Sequence, residues 1–323
     1  MITTTPEPPL TSTPSGLPST QPSSPVSAPR RTGLAALIQR HPLLSFFLLA
    51  NLLSWAAWTP LVLSADGLGV WGFSFPRVLG STQLTGVLPG AYLGPITSAL
   101  IVTAVADGRA GLRRWGARLW RWRVRWTWYA VALLAVPAAF VVAGTVFSGG
   151  RVVAPSLAAL ALYVPGLLLQ MVTTGLAEEP GWRDFALPRL QTRFGPLGAT
   201  MLLGPLWALW HMPLFLTADW GGWPGVSWTE PLVFTAFCVS FNVVVSWLFN
   251  RTGQSLPLTM LLHVGVNNFA SVIWFEMFPT LDPARTLQAQ AVVAAVAAVA
   301  LLVATRGRLG YRPSTDPRSA QTA

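Results

Sequence analysis

Charge is scarce in this sequence: only 10% of its 323 residues are Asp, Glu, Lys or Arg, against 52% hydrophobic residues. That balance excludes an ordinary soluble protein of this length and places the chain among membrane proteins. Lysine is absent, so all 21 basic residues are arginine, a bias we read as GC-rich coding rather than function. Cysteine occurs once, at Cys238 inside an apolar run. A disulfide framework within the chain and a cysteine-based zinc site are both excluded, and inert packing is its expected role. No His-Glu-x-x-His motif occurs, which excludes a standard zincin. Nor is there an internal repeat, or a matched pair of interrupted apolar segments, of the kind that marks an inverted-repeat transporter.

What is present is a series of apolar runs of spanning length. They lie near 43–63, 87–106, 126–147, 155–177, 197–216, 231–249, 255–276 and 287–305. Uninterrupted runs of this kind lack the period-two alternation of barrel strands, so the expected fold is all-α, a polytopic transmembrane bundle of about eight spans. The first 29 residues are rich in Pro, Ser and Thr and cannot bury a core, which predicts a disordered tail over 1–32. They also lack the basic-apolar-small pattern of a cleaved signal peptide. The remaining divisions are 33–154 for the first three helices, 155–280 for the core bearing the chemistry, 281–312 for the last helix, and a cytoplasmic tail over 313–323.

Sixteen tryptophans fit aromatic belts at the two membrane faces. The arginines cluster in alternate gaps. With the amino terminus inside, eighteen fall on the cytoplasmic side and only Arg77, Arg151 and Arg285 outside, which predicts a plasma-membrane protein with both termini cytoplasmic. The net charge of +10 is thereby explained by topology, not by nucleic acid as a partner. The seven arginines of 109–125, interleaved with Trp115, Trp120 and Trp122, suit anionic headgroups of membrane lipids.

Ionisable residues inside spans cost roughly 2.5–3.5 kcal/mol each, so the few present are candidates for function. Glu178 and Glu179 sit at the end of the fourth run, before Pro180 and Arg183. Adjacent helical residues point about 100° apart, so one carboxylate faces a given site while the other is free to pair with Arg183. Pro180 predicts a kink beside them. His211 follows Trp207 by four residues, and Asn267 follows His263 by four, so each pair shares a helical face. His41 reads as a solvated residue at the start of the first span. Asn242 and Asn268 read as glue between helices. One carboxylate and two imidazoles either hold a divalent metal or act without one around a water molecule.

These motifs, Glu-Glu-x-x-x-Arg at 178–183, aromatic-x-x-x-His at 207–211 and His-x-x-x-Asn at 263–267, resemble the CAAX protease and bacteriocin-processing (CPBP, Abi-like) family. Its members are intramembrane endopeptidases that include the type II CAAX prenyl endopeptidases. Trp207 stands where Phe is usual, and Asp184 follows the motif arginine where Gly is common. By this resemblance Glu178 activates water, His211 and His263 position it or bind a metal such as zinc together with Glu178, and Asn267 stabilises the oxyanion. Glu179 and Arg183 support them from behind. The implied substrate is a hydrophobic or lipid-modified peptide or protein, cut within or near the cytoplasmic half of the membrane. A non-catalytic immunity protein of the same fold and an ion-coupled transporter are the competing expectations.

Overall fold

A computed structural model describes residues 33–221 and 228–313, together with Met1, Thr3 and Thr5. The chain divides into two units at Thr32/Gly33. The Pro-rich tail and the carboxy-terminal tail, Arg318 included, lie outside the described residues except for those three positions and residue 313.

Among the described residues the fold is all-α. A short α1 (Leu34–Arg40) and the exposed His41 lead into α2 (Pro42–Leu63). The helices α3 (Gln83–Ala106), α4 (Gly108–Ala117) and α5 (Trp126–Phe147) follow. A 60-residue apolar helical stretch then runs from Leu157 to Leu216. At 1.5 Å per residue it would reach roughly 90 Å if straight, three times the hydrocarbon thickness. It turns at Gly195, whose φ of 70° breaks the helix, giving α6 (157–194) and α7 (196–216). The bundle closes with α8 (Thr229–Arg251), α9 (Leu256–Met277) and α10 (Pro283–Thr305). Seven helical stretches are thus long and apolar enough to cross a membrane, and one of them holds the fourth and fifth apolar runs of the sequence.

Hydrogen bonds sort the helix ends into two sets. At one end Gln39 reaches the Val105 carbonyl, Arg189 meets Asp107 at 2.5 Å, Arg121 donates to the Gly253 carbonyl and Asn250 to that of Leu309. At the other end Ala218 N–H donates to the Asp66 carbonyl, Arg77 pairs with Asp219, Val153 N–H donates to the Met277 carbonyl and Ser156 binds Glu276. The arginines follow the same division. Arg40, those of 109–125, Arg189, Arg193, Arg251, Arg306, Arg308 and Arg312 belong to the first end, and Arg77, Arg151 and Arg285 to the second.

Two expectations need correction. Glu178 and Glu179 do not end a helix: α6 continues past them through a π-helical stretch, Pro180–Ala186. Proline removes one N–H from the ladder, and a wider turn absorbs the loss without ending the helix. Gly181 makes this possible, because a Cβ there would lie 2.6–2.7 Å from Pro95 of α3. The tryptophans, secondly, are not all belt residues. Trp120 and Trp126 are exposed at the arginine-rich end, but Trp58, Trp182, Trp207, Trp210 and Trp274 are buried. Four of these five spend their indole N–H inside the protein: Trp58 on the Val87 carbonyl, Trp210 on Ser54, Trp274 on Thr286 and Trp207 on Glu178. A buried indole needs such a partner, and having one lets it serve as core. The asparagines do join helices. Asn242 donates to the Thr200 carbonyl and Asn268 to that of Tyr163, each at 2.8 Å.

Candidate active site

The mid-helix position of Glu178 decides where the chemistry lies. Residues from α3, α6, α7, α8 and α9 surround a cavity of 80 Å³ whose walls include Glu178, His211, His263 and Asn267. That volume admits several water molecules. Glu179 is not on its wall, as the 100° step along a helix requires, and its side chain is fully buried behind Glu178.

Each polar group is held by a specific partner. Glu178 Oε2 accepts the Trp207 indole N–H at 2.9 Å, leaving Oε1 for the cavity. His211 Nδ1 lies 2.9 Å from the Trp207 carbonyl, which only accepts, so Nδ1 carries the proton. His263 Nδ1 lies 2.9 Å from Glu179 Oε1 and donates to that carboxylate. Both imidazoles therefore have Nδ1 engaged and Nε2 unbonded among the described residues, the arrangement that fixes a tautomer and aims the second nitrogen at a reacting group. Asn267 contributes a side-chain amide with no hydrogen bond among the described residues.

Trp207 is the hub that spacing alone did not reveal. Its N–H holds Glu178, its ring meets His263 edge-on at 5.2 Å and His211 at 5.8 Å, and the Arg183 guanidinium lies 4.8 Å from its centroid. A phenylalanine would keep the ring contacts but not the donor. Arg183 is fully buried, and its nitrogens make no hydrogen bond among the described residues. Its charge is met by Glu179, with Nε 3.4 Å from Oε2, and by the indole face. Asp184 is buried too and pairs with Arg118 from the arginine-rich segment, tying that segment to the π-helical turn.

The depth of the two histidines, roughly 21 Å and 12 Å when counted from the ends of their apolar runs, is reconciled by the start of α9. Ser255 to Met260 are all buried, and Ser255 donates to the Arg121 carbonyl, so α9 begins beneath the surface of its end. His263 thus reaches the level of His211. Trp220, stacked on His211 at 5.4 Å, and Gln83 at the start of α3 also line the cavity. Neither carries a motif, and only the fold brings them here.

The donor set does not make a ready metal site. No group of three His, Cys, Asp or Glu side chains capable of holding an ion occurs among the described residues. The proposed ligands Glu178, His211 and His263 share a cavity wall without converging on one point.

Comparison with known proteins agrees with the motifs. A family model described as type II CAAX prenyl endopeptidase Rce1-like matches residues 160–269, the segment that supplies all four cavity groups. A curated relative, CAAX prenyl protease 2 of Methanococcus maripaludis, is 27% identical over 146 residues, covering 42% of this chain and 48% of that protein. The chain thus spans about half the length of the curated relative it matches. Across the membrane segment that carries the site, this chain is similar to the Rce1-like type II CAAX prenyl endopeptidases.

Proposed function

We propose that the chain is an intramembrane endopeptidase that hydrolyses a hydrophobic or lipid-modified peptide with a water molecule activated by Glu178. The observation that carries this reading is the convergence of Glu178, His211, His263 and Asn267 on one cavity with both imidazoles pinned at Nδ1. Four such groups in an apolar bundle are costly unless used.

Glu178 Oε1 accepts a proton from water as the water oxygen attacks the scissile carbonyl carbon. The Nε2 of His263 holds the other hydrogen of the water, and the Asn267 amide donates to the oxygen that gains charge. As the C–N bond breaks, Glu178 returns the proton to the leaving amine, so one group serves as base and then acid. His211, stacked on Trp220, forms the wall against which the substrate lies. The aromatic lining, with Trp210, Phe237 and Phe241, suits apolar side chains or a lipid.

The test is cleavage of quenched fluorescent peptides, prenylated and unmodified, by detergent-purified protein with and without chelator. Loss of cleavage in both Glu178→Ala and His263→Ala supports the reading, and cleavage unchanged by either substitution refutes the site. Activity that survives chelation fits a water activated by the carboxylate alone, whereas activity abolished by it assigns a metal to the same residues.

A further inference from the structure

We infer that the catalytic cavity opens on the extracytoplasmic face, so that its substrate is a peptide segment presented from outside the cytoplasm and not a cytoplasmic chain terminus. This rests on the endopeptidase reading above and adds the side of the membrane.

Three walls of the cavity are built from the arginine-poor ends of their helices, α3, α7 and α8, whereas Glu178 reaches it from the middle of α6 and His263 from seven residues past the start of α9. Gln83 is the first residue of α3, and Val87 follows one turn later. His211 lies five residues before the end of α7, and at about 2 Å per residue for the 3₁₀ turns of Met212–Leu216 that places it roughly 10 Å from that end. Trp220 lies beyond α7, and Phe234 is five residues into α8, again from the arginine-poor side. Gln83 is exposed, which makes it the rim.

The opposite end is closed. Asp184 pairs with Arg118, the Trp115 indole donates to the Pro180 carbonyl at 3.0 Å, and Arg121 bridges to Gly253 and Ser255. These contacts lay the arginine-rich segment across the cytoplasm-facing side of the core and leave no lining residue there.

Arginine near helix ends marks the cytoplasmic side. Among residues 33–221 and 228–313 every arginine at a membrane end lies on the closed side except Arg77, Arg151 and Arg285. The open side therefore faces out. This side differs from the cut within or near the cytoplasmic half that accompanies the family resemblance. The substrate that fits is an exported peptide, or the outer juxtamembrane segment of a membrane protein, with apolar side chains for the aromatic wall.

Cysteine labelling tests the side without relying on catalysis. Wild type, whose single cysteine Cys238 is buried, sets the background. In intact cells a membrane-impermeant maleimide is expected to label Gln83→Cys and not Arg109→Cys, with Arg109→Cys labelled once the membrane is permeabilised. Labelling of Arg109→Cys alone in intact cells overturns the orientation. Gln83→Cys refractory even after permeabilisation, with Arg109→Cys reactive, overturns the rim. A charged, impermeant quenched peptide is then expected to be cleaved at least tenfold faster by right-side-out than by everted vesicles, with detergent abolishing the difference. The reverse preference refutes the inference while sustaining the protease reading. Absence of cleavage in detergent sinks the protease reading, and the labelling pattern still decides the orientation.

Discussion

Glu179 faces two partners at once, and replacing it with glutamine separates their contributions. The Glu179–Arg183 pair is fully buried, with Nε 3.4 Å from Oε2. At an effective dielectric of about 20, 332/(εr) gives roughly 5 kcal/mol of attraction. Removing one partner of a buried pair costs about 3–5 kcal/mol, because the other charge stays behind without compensation. Here Arg183 would retain only the Trp207 ring and the more distant Glu178. At about 2–4 °C per kcal/mol for a chain of this size, the unfolding midpoint of Glu179→Gln should fall by roughly 6–20 °C, read from tryptophan fluorescence in detergent. Glutamine still offers an oxygen to His263, but a neutral acceptor replaces a charged one at 2.9 Å. Such a bond weakens by about 1 kcal/mol, or roughly fivefold in rate if it serves to aim Nε2. The double variant Glu179→Gln with Arg183→Met should regain most of the stability, since no lone charge remains, without regaining the rate. A midpoint within 2 °C of wild type for Glu179→Gln would refute the buried-pair argument. Full activity in the double variant would refute the assignment of Glu179 to aiming His263.

Other substitutions probe the remaining links. Glu178→Gln should lower kcat/KM by about 10²–10⁴ and Asn267→Ala by about 10²–10³ on a cleaved peptide, and a smaller loss for Glu178→Gln than for Asn267→Ala would remove Glu178 from the role of base. Gly181→Ala would press a methyl into Pro95 at 2.6–2.7 Å and force α3 and α6 apart, costing about 1–3 kcal/mol in thermal unfolding; an unchanged midpoint would show that the contact yields freely. Burial raises the pKa of Asp219, but the Thr82 N–H and hydroxyl, together with Arg77, outweigh it and hold the carboxylate below its ordinary value. A lowered folded-state pKa gives stability that is present above the unfolded value of about 3.9 and lost as pH falls through the folded one. Asp219→Asn should therefore destabilise the protein by on the order of 1 kcal/mol at neutral pH and flatten the loss of stability below about pH 4, and identical pH curves for the two proteins would remove this clamp from the account.

Much of this architecture was legible in the sequence because the bilayer imposes a simple rule. Every backbone group must be paired inside its own segment, so apolar length alone locates the passes, and scarce polar residues within them stand out. Glu178, His211, His263 and Asn267 could be named from composition and i, i+4 spacing, and the arginine pattern sorted the helix ends.

Tertiary structure decided what spacing cannot carry. The π-helical turn at Pro180 depends on Gly181 meeting Pro95 from another helix, so only packing shows that α6 runs on and that Glu178 lies mid-span. Trp207 was legible as the aromatic that shares a helical face with His211, but its N–H on Glu178 exists because two distant segments cross at that level. The protonated nitrogen of each imidazole is set by a partner in space, the carbonyl of Trp207 for His211 and the carboxylate of Glu179 for His263. The sequence by itself determined which groups are available in the membrane; the crossing of α6, α7 and α9 decided which of them share a cavity, because sequence records separation along the chain and the chemistry depends on separation in space.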